Sequence, residues 1–222
     1  GPPECCLITG YDEDGQVLIG WNYFQNDPIL GAGVEFEPEG YFRKRDWFRD
    51  TISAITIGEK TSRPNLRARN REALRWAVQV ATTPEVYGRH SGFEAYTAWA
   101  DHLGDDEGFA SLDVDELKQR HQVHDVAVSN VAECRWYAHI FLREIARTEP
   151  HLAEDLQAAA AEYDNEHTLM WKAWGVLGGN GHPQAHLKLA EAEARGKLQE
   201  IIREARECDR RAVQRLRSAL AR

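Results

Sequence analysis

The sequence predicts an α+β protein: a small antiparallel sheet over residues 1–62, followed by a larger helical bundle over 63–222. Three observations carry this. β-Branched and apolar runs separated by turn residues fill the first sixty positions. From residue 62 onward apolar residues recur at steps of three and four. The strongest such stripe, over 151–177, runs Leu156, Ala159, Ala160, Tyr163, His167, Met170, Trp171, Trp174, Leu177. That spacing draws one face of a 3.6-residue helix, and a face this rich in large side chains must be buried. Pro150 suits the helix entry, where its missing N–H costs nothing. Gly178, Gly179, Asn180, Gly181 and Pro183 end it.

Taken in order, residues 5–9 read as a strand and 17–21 as its return. Gly10-Tyr11-Asp12-Glu13-Asp14-Gly15 supplies a turn between them. Both strands are apolar at nearly every position, which predicts a hairpin covered on both faces. A loop follows over 25–40, with Pro28, Gly31, Gly33 and Pro38 as breakers and a short strand at 34–37. Residues 41–50 alternate aromatic and basic side chains, a pattern suited to contacting a partner. The β-branched run 51–58 reads as a third main strand.

Helical periodicity begins with Ser62 as N-cap and a helix over 64–81. A linker over 82–92 precedes a short helix, 92–103, with Phe93, Tyr96, Trp99, Ala100 and Leu103 on one face. Residues 113–149 read as helical with a break near Gln122; their stripe is Val131, Cys134, Tyr137, Phe141 and Ile145. After the 151–177 helix, a final helix or helix pair spans 183–220, with Gly196 marking a kink. Its stripe is Leu198, Ile201, Ile202, Ala205, Cys208, Ala212, Leu216 and Leu220.

The chain carries a formal charge of −9, which argues against a general nucleic-acid binder. The charge is uneven: residues 1–62 hold eleven acids and five bases, whereas 195–222 hold nine bases and four acids. That basic tail reads as an exposed helix face. Four cysteines (Cys5, Cys6, Cys134, Cys208) give no disulfide framework, so reduced thiols and a cytoplasmic location are expected. No apolar run approaches the roughly 20 residues of a membrane span. The first residue is Gly1 and a strand-like run follows at once, as expected of a piece of a longer chain.

Several residues bear on chemistry. His121 and His124 stand three apart beside Asp125, a spacing that suits two ligands but more often a surface pair. His182 and His186 read likewise. His167 lies in the core stripe, one turn from Tyr163. A buried neutral histidine is the plainer reading; a pocket lined by Tyr163, His167 and Trp171 is the sharper one. Glu162 and Glu166 read as a solvated face. The bundle lacks the Glu-x-x-His partner of a carboxylate-bridged metal site: the facing helix offers Glu133, Arg135 and His139. Trp76, Trp99, Trp136, Trp171 and Trp174 read as ordinary core, with a ligand pocket lined by aromatics as the other reading. No cofactor is called for.

The apolar strand, Gly10-Tyr11-Asp12, acidic turn, Gly15 and second apolar strand resemble the latter half of papain-like cysteine-peptidase folds. The bacteriocin-leader peptidases show this pattern, as does a group of uncharacterised proteins and acyltransferases similar to the butirosin-biosynthesis H protein. Tyr41-Phe42-Arg43-Lys44-Arg45-Asp46-Trp47 and Leu169-Met170-Trp171-Lys172 are similar to the helical C-terminal part of that group. The resemblance implies a papain-like half-barrel, a bacterial source, and a hydrolase or acyltransferase whose helical part shapes a substrate pocket. It places Asn22 near the orienting Asp/Asn position and the general base near residues 4–6, where no histidine stands. Cys6 is then the available thiol, although a strand interior predicts an inert one. The alternative is a non-catalytic module on the same scaffold that binds a small molecule or peptide. An unpaired sheet edge would favour a homodimer.

Overall fold

The computed structural model describes residues 6–24, 27, 31–49, 51, 53–59, 62 and 65–222. The chain divides into two compact units, 1–62 and 63–222.

In the first unit the described residues form a four-stranded antiparallel sheet of order β1-β2-β4-β3. Its strands are β1 (Leu7–Asp12), β2 (Val17–Trp21), β3 (Glu35–Phe36) and β4 (Phe42–Arg45). The hairpin stands where the sequence puts it. Its turn uses left-handed backbone at Glu13, Asp14 and Gly15. The expectation of two covered faces fails: β1 is exposed at five of its six positions. Small cores form instead around Val17 and Phe42, both buried. Gly20 pairs with Phe42 across the strands, and a Cβ on Gly20 would fall 2.6 Å from the Phe42 ring. The glycine leaves room for the ring to lie over the strand.

Arg43, Arg45 and Trp47 of the aromatic-basic run are spent inside this unit. Arg43 bridges Asp12 at 2.6 Å and Arg45 donates to Glu13 at 2.6 Å, so the basic strand holds the acidic hairpin turn. Trp47 Nε1 donates to the Gly15 carbonyl at 3.1 Å, and the Trp47 ring stacks on Phe48. The third main strand is therefore 42–45 and not 51–58. Thr51 and 53–59 form no strand, and Ile55 and Ile57 are almost wholly exposed. Ile52, like Cys5 and Pro28, lies outside the described residues.

The second unit holds α1 (Leu66–Thr82), a two-stranded ribbon of β5 (Glu85–Val86) and β6 (Arg89–His90), α2 (Gly92–Leu103), α3 (Asp106–Ala110), α4 (Val114–Thr148), α5 (Ala153–Val176), α6 (Ala185–Leu189) and α7 (Ala192–Leu220). Asn65, not Ser62, caps α1: its side chain accepts from Arg67 N–H at 2.9 Å. α4 runs unbroken through Gln122. Asp113 and Glu116 close a capping box at its start, and its 35 residues rise about 52 Å. α7 likewise passes Gly196 without a break.

α5 packs between α4 and α7, and α7 in turn carries α1 and α2. The α5 face is the expected stripe at seven of its nine positions: Leu156, Ala159, Ala160, Tyr163, Met170, Trp174 and Leu177 are buried. Trp171 is exposed and His167 only part-buried, while Glu166 and Ala173 join the buried face. The α4 stripe differs more: Cys134, Tyr137 and Phe141 are exposed, while Leu117, His124, Val128, Ala132, Leu142 and Ile145 are buried. Trp76 and Trp136 are also exposed. Among the described residues no helix is long and apolar enough to cross a membrane.

Candidate functional site

Three seams of the helical unit are closed: α4 on α5, α5 on α7, and α7 on α1 and α2. The fourth, between α4 and the α1–α2 pair, opens into a cleft of about 820 Å³. Its α1 wall is Ala73, Leu74, Ala77 and Ala81. Tyr96, Ala98 and Trp99 come from α2, and His124, Ala127, Val131 and Arg135 from α4. Tyr163 of α5 and Asp209 and Leu216 of α7 also line it. Alanines recur at the facing positions, so the helices enclose space that larger residues would fill.

One part of the cleft wall is charged. Arg135 Nε donates to Glu166 Oε2 at 2.9 Å. Its Nη2 donates to Asp209 Oδ2 at 2.9 Å and to the Tyr96 hydroxyl at 3.1 Å. The Tyr96 hydroxyl donates in turn to Glu166 Oε1. The Arg135 guanidinium also lies 5.2 Å from the Tyr163 ring centre. Glu166 is 0% exposed and Asp209 1%. Burial pushes the Glu166 carboxyl up to about 8, against the pull of Arg135, and raises Asp209 for the same reason. Burial likewise lifts the Tyr96 hydroxyl well above its usual range, with Glu166 adding to the rise. Asp209 Oδ1 is buried and has no hydrogen-bond partner in the protein.

A second polar point lies at His124, eleven residues before Arg135 and so about 16 Å along α4. Trp99 Nε1 donates to His124 Nδ1 at 3.1 Å, which fixes the proton on Nε2. That Nε2–H is buried without a protein partner. Burial lowers the imidazole to about 4, so it is neutral at pH 7. The surface-pair expectation for His121 and His124 therefore fails for His124.

Comparison of the chain with family models, curated proteins and solved structures finds no match.

The residues singled out from the sequence fall in different places. Tyr163 lines the cleft. His167 and Trp171 do not: His167 bonds the Ala132 carbonyl through Nδ1 at 2.8 Å and accepts from Trp171 Nε1 at 3.0 Å. Both ring nitrogens are satisfied, which is the structural role. Cys6 is exposed and precedes β1 rather than lying in a strand. Asn22 closes a turn after β2, its side chain accepting from Phe24 N–H at 2.8 Å. Residues 1–62 contain no histidine to serve Cys6. Of the other described thiols, Cys134 is exposed, whereas burial pushes Cys208 up to about 12. Among the described residues no group of three or more His, Cys, Asp or Glu could hold a metal ion.

Glu166, read from the sequence as solvated, is the most deeply buried acid of the cluster. Arg195, assigned to the exposed basic tail, is buried too. It pairs with Asp106 and donates to the carbonyls of Leu103, Leu189 and Ala190.

Proposed function

We propose that the helical unit binds a small, elongated and largely apolar molecule in the cleft between α4 and the α1–α2 pair. The observation that carries this is the cleft itself: about 820 Å³ of mostly apolar wall with two unpartnered buried polar atoms on residues that line it. Small-molecule sites have this make-up: an apolar body that supplies affinity and a few polar groups that fix orientation. The spacing of about 16 Å along α4 between His124 and Arg135 sets the length scale of the ligand. Nothing in the cleft pairs a nucleophile with a base, so the reading is binding without turnover.

The test is uptake of a neutral polarity-sensitive dye, N-phenyl-1-naphthylamine, by the full chain. Saturable uptake at one site is expected. Ala98→Trp and Ala127→Trp, which fill the cleft from its two walls, should each weaken uptake at least about tenfold with the helical circular dichroism retained. Absence of saturable uptake, or uptake by both variants unchanged from wild type, refutes the proposal.

The papain-like scaffold for residues 4–60 stands as a second reading. Its support is the β1–β2 hairpin with Asn22 directly after it. It carries no catalytic assignment, because Cys6 has no imidazole within residues 1–62.

A further inference from the structure

The charged cluster in the cleft wall leaves one acceptor unserved. Two buried carboxylates, Glu166 and Asp209, meet one guanidinium, Arg135. Both oxygens of Glu166 are used, one by Arg135 Nε and one by the Tyr96 hydroxyl. Asp209 is served on Oδ2 alone. Its Oδ1 is the acceptor left without a partner, on a residue that lines the cleft and is 1% exposed. The groups that face it are Arg135 from α4, Glu166 and Tyr163 from α5, and Tyr96 from α2. No hydrogen bond from any of them reaches Oδ1. A buried acceptor in this state is costly, and a buried carboxylate more so.

We infer that the ligand of the cleft is a cationic amphiphile, a primary ammonium on an apolar chain, whose head pairs with Asp209 Oδ1. This rests on the reading of the cleft as a binding site. An ammonium brings three donors and a charge opposite to that of Asp209. The Tyr96, Trp99 and Tyr163 rings, which line the cleft with it, suit a cation as well as an alkyl chain. The leading methylenes of the chain meet the alanines and Leu74 further along the wall. A carboxylate or phosphate head is disfavoured, since it would set a second negative charge beside Asp209.

The experiment displaces the neutral dye from the full chain with decylammonium, decanol and decanoate at pH 7, each below its micelle concentration. Decylammonium is expected to displace it at least about tenfold more tightly than decanol, with decanoate weakest. In Asp209→Asn the ratio of decylammonium to decanol affinity should fall to near one. Equal displacement by amine and alcohol in the wild type overturns the cationic head while leaving the cleft reading intact, and needs no variant to fold. A preference that survives in Asp209→Asn overturns the assignment to Asp209. Failure of the dye and of all three displacers to bind overturns the cleft reading together with this inference.

Discussion

Replacing Arg135 with methionine removes the cation but keeps an unbranched apolar stem in the same space. Glu166 and Asp209 are then buried with no opposite charge. Removing one partner of a buried ion pair costs about 3–5 kcal/mol. The structure gives an independent figure. The orphaned carboxyls are relieved by taking up protons. Glu166, already raised to about 8, does so at pH 7 with little further cost. Asp209 must be neutralised some 3 pH units above the ordinary aspartate value, at about 1.4 kcal/mol per unit, or about 4 kcal/mol. The sign follows from proton counting. In the variant the folded state binds a proton on Asp209 that the unfolded state does not hold between about pH 4 and pH 7. Stability of the variant therefore falls as pH rises through that window, and the wild type shares only the part that its own raised Asp209 carries. The loss relative to wild type should be at most about 4 kcal/mol at pH 7 and shrink to at most about 1.5 kcal/mol at pH 5. Urea unfolding followed by far-ultraviolet circular dichroism, which reports the helical unit, measures this at pH 5, 6 and 7. A loss below about 1 kcal/mol at pH 7, or one that does not change with pH, would refute the account of Arg135 as the counter-charge of the cluster.

Two further outcomes are expected. His124 is held at about 4 by burial, below its unfolded value. The unfolded chain therefore binds the extra proton between pH 4 and 6.5, and this histidine erodes stability as pH falls through that window. In His124→Asn the new carbonyl oxygen stands near the Nδ1 position that accepts from Trp99. The variant should lose up to about 3 kcal/mol less than wild type between pH 6.5 and pH 4. Parallel pH profiles would remove the claim that His124 is buried neutral. Asp113 accepts from the N–H groups of Asp115 and Glu116, so Asp113→Ala should cost about 1 kcal/mol in thermal or urea unfolding. No measurable loss would mean that the first turn of α4 does not need its cap.

Much of the helical unit was legible in the sequence because period and breakers are local. α2 begins and ends at the residues its apolar face and flanking glycines mark, and α5 stops at the glycine cluster after Leu177. The candidate site was legible in position but not in meaning. Asp209 follows Ala205 by four and precedes Ala212 by three, inside the α7 stripe. Glu166 holds the same place between Tyr163 and Met170, and Arg135 follows Ala132 by three. Charged residues at core spacing are the signal that was there to find. Read one helix at a time, each looks like an interruption of its stripe, because the partner that makes its burial tolerable stands on another helix.

The sequence by itself determined where the long helices lie, where the hairpin turns and how α4 begins, because capping, backbone conformation and apolar period act within a few residues. Only the tertiary structure decided which face of α4 is buried, since that depends on the volumes the neighbouring helices present. It alone placed 42–45 rather than 51–58 in the sheet, through the pairing of Arg43 and Arg45 with the acidic turn. It alone left the seam between α4 and the α1–α2 pair open. That opening arises from small residues on three helices facing one another, a relation no single stretch of the chain contains.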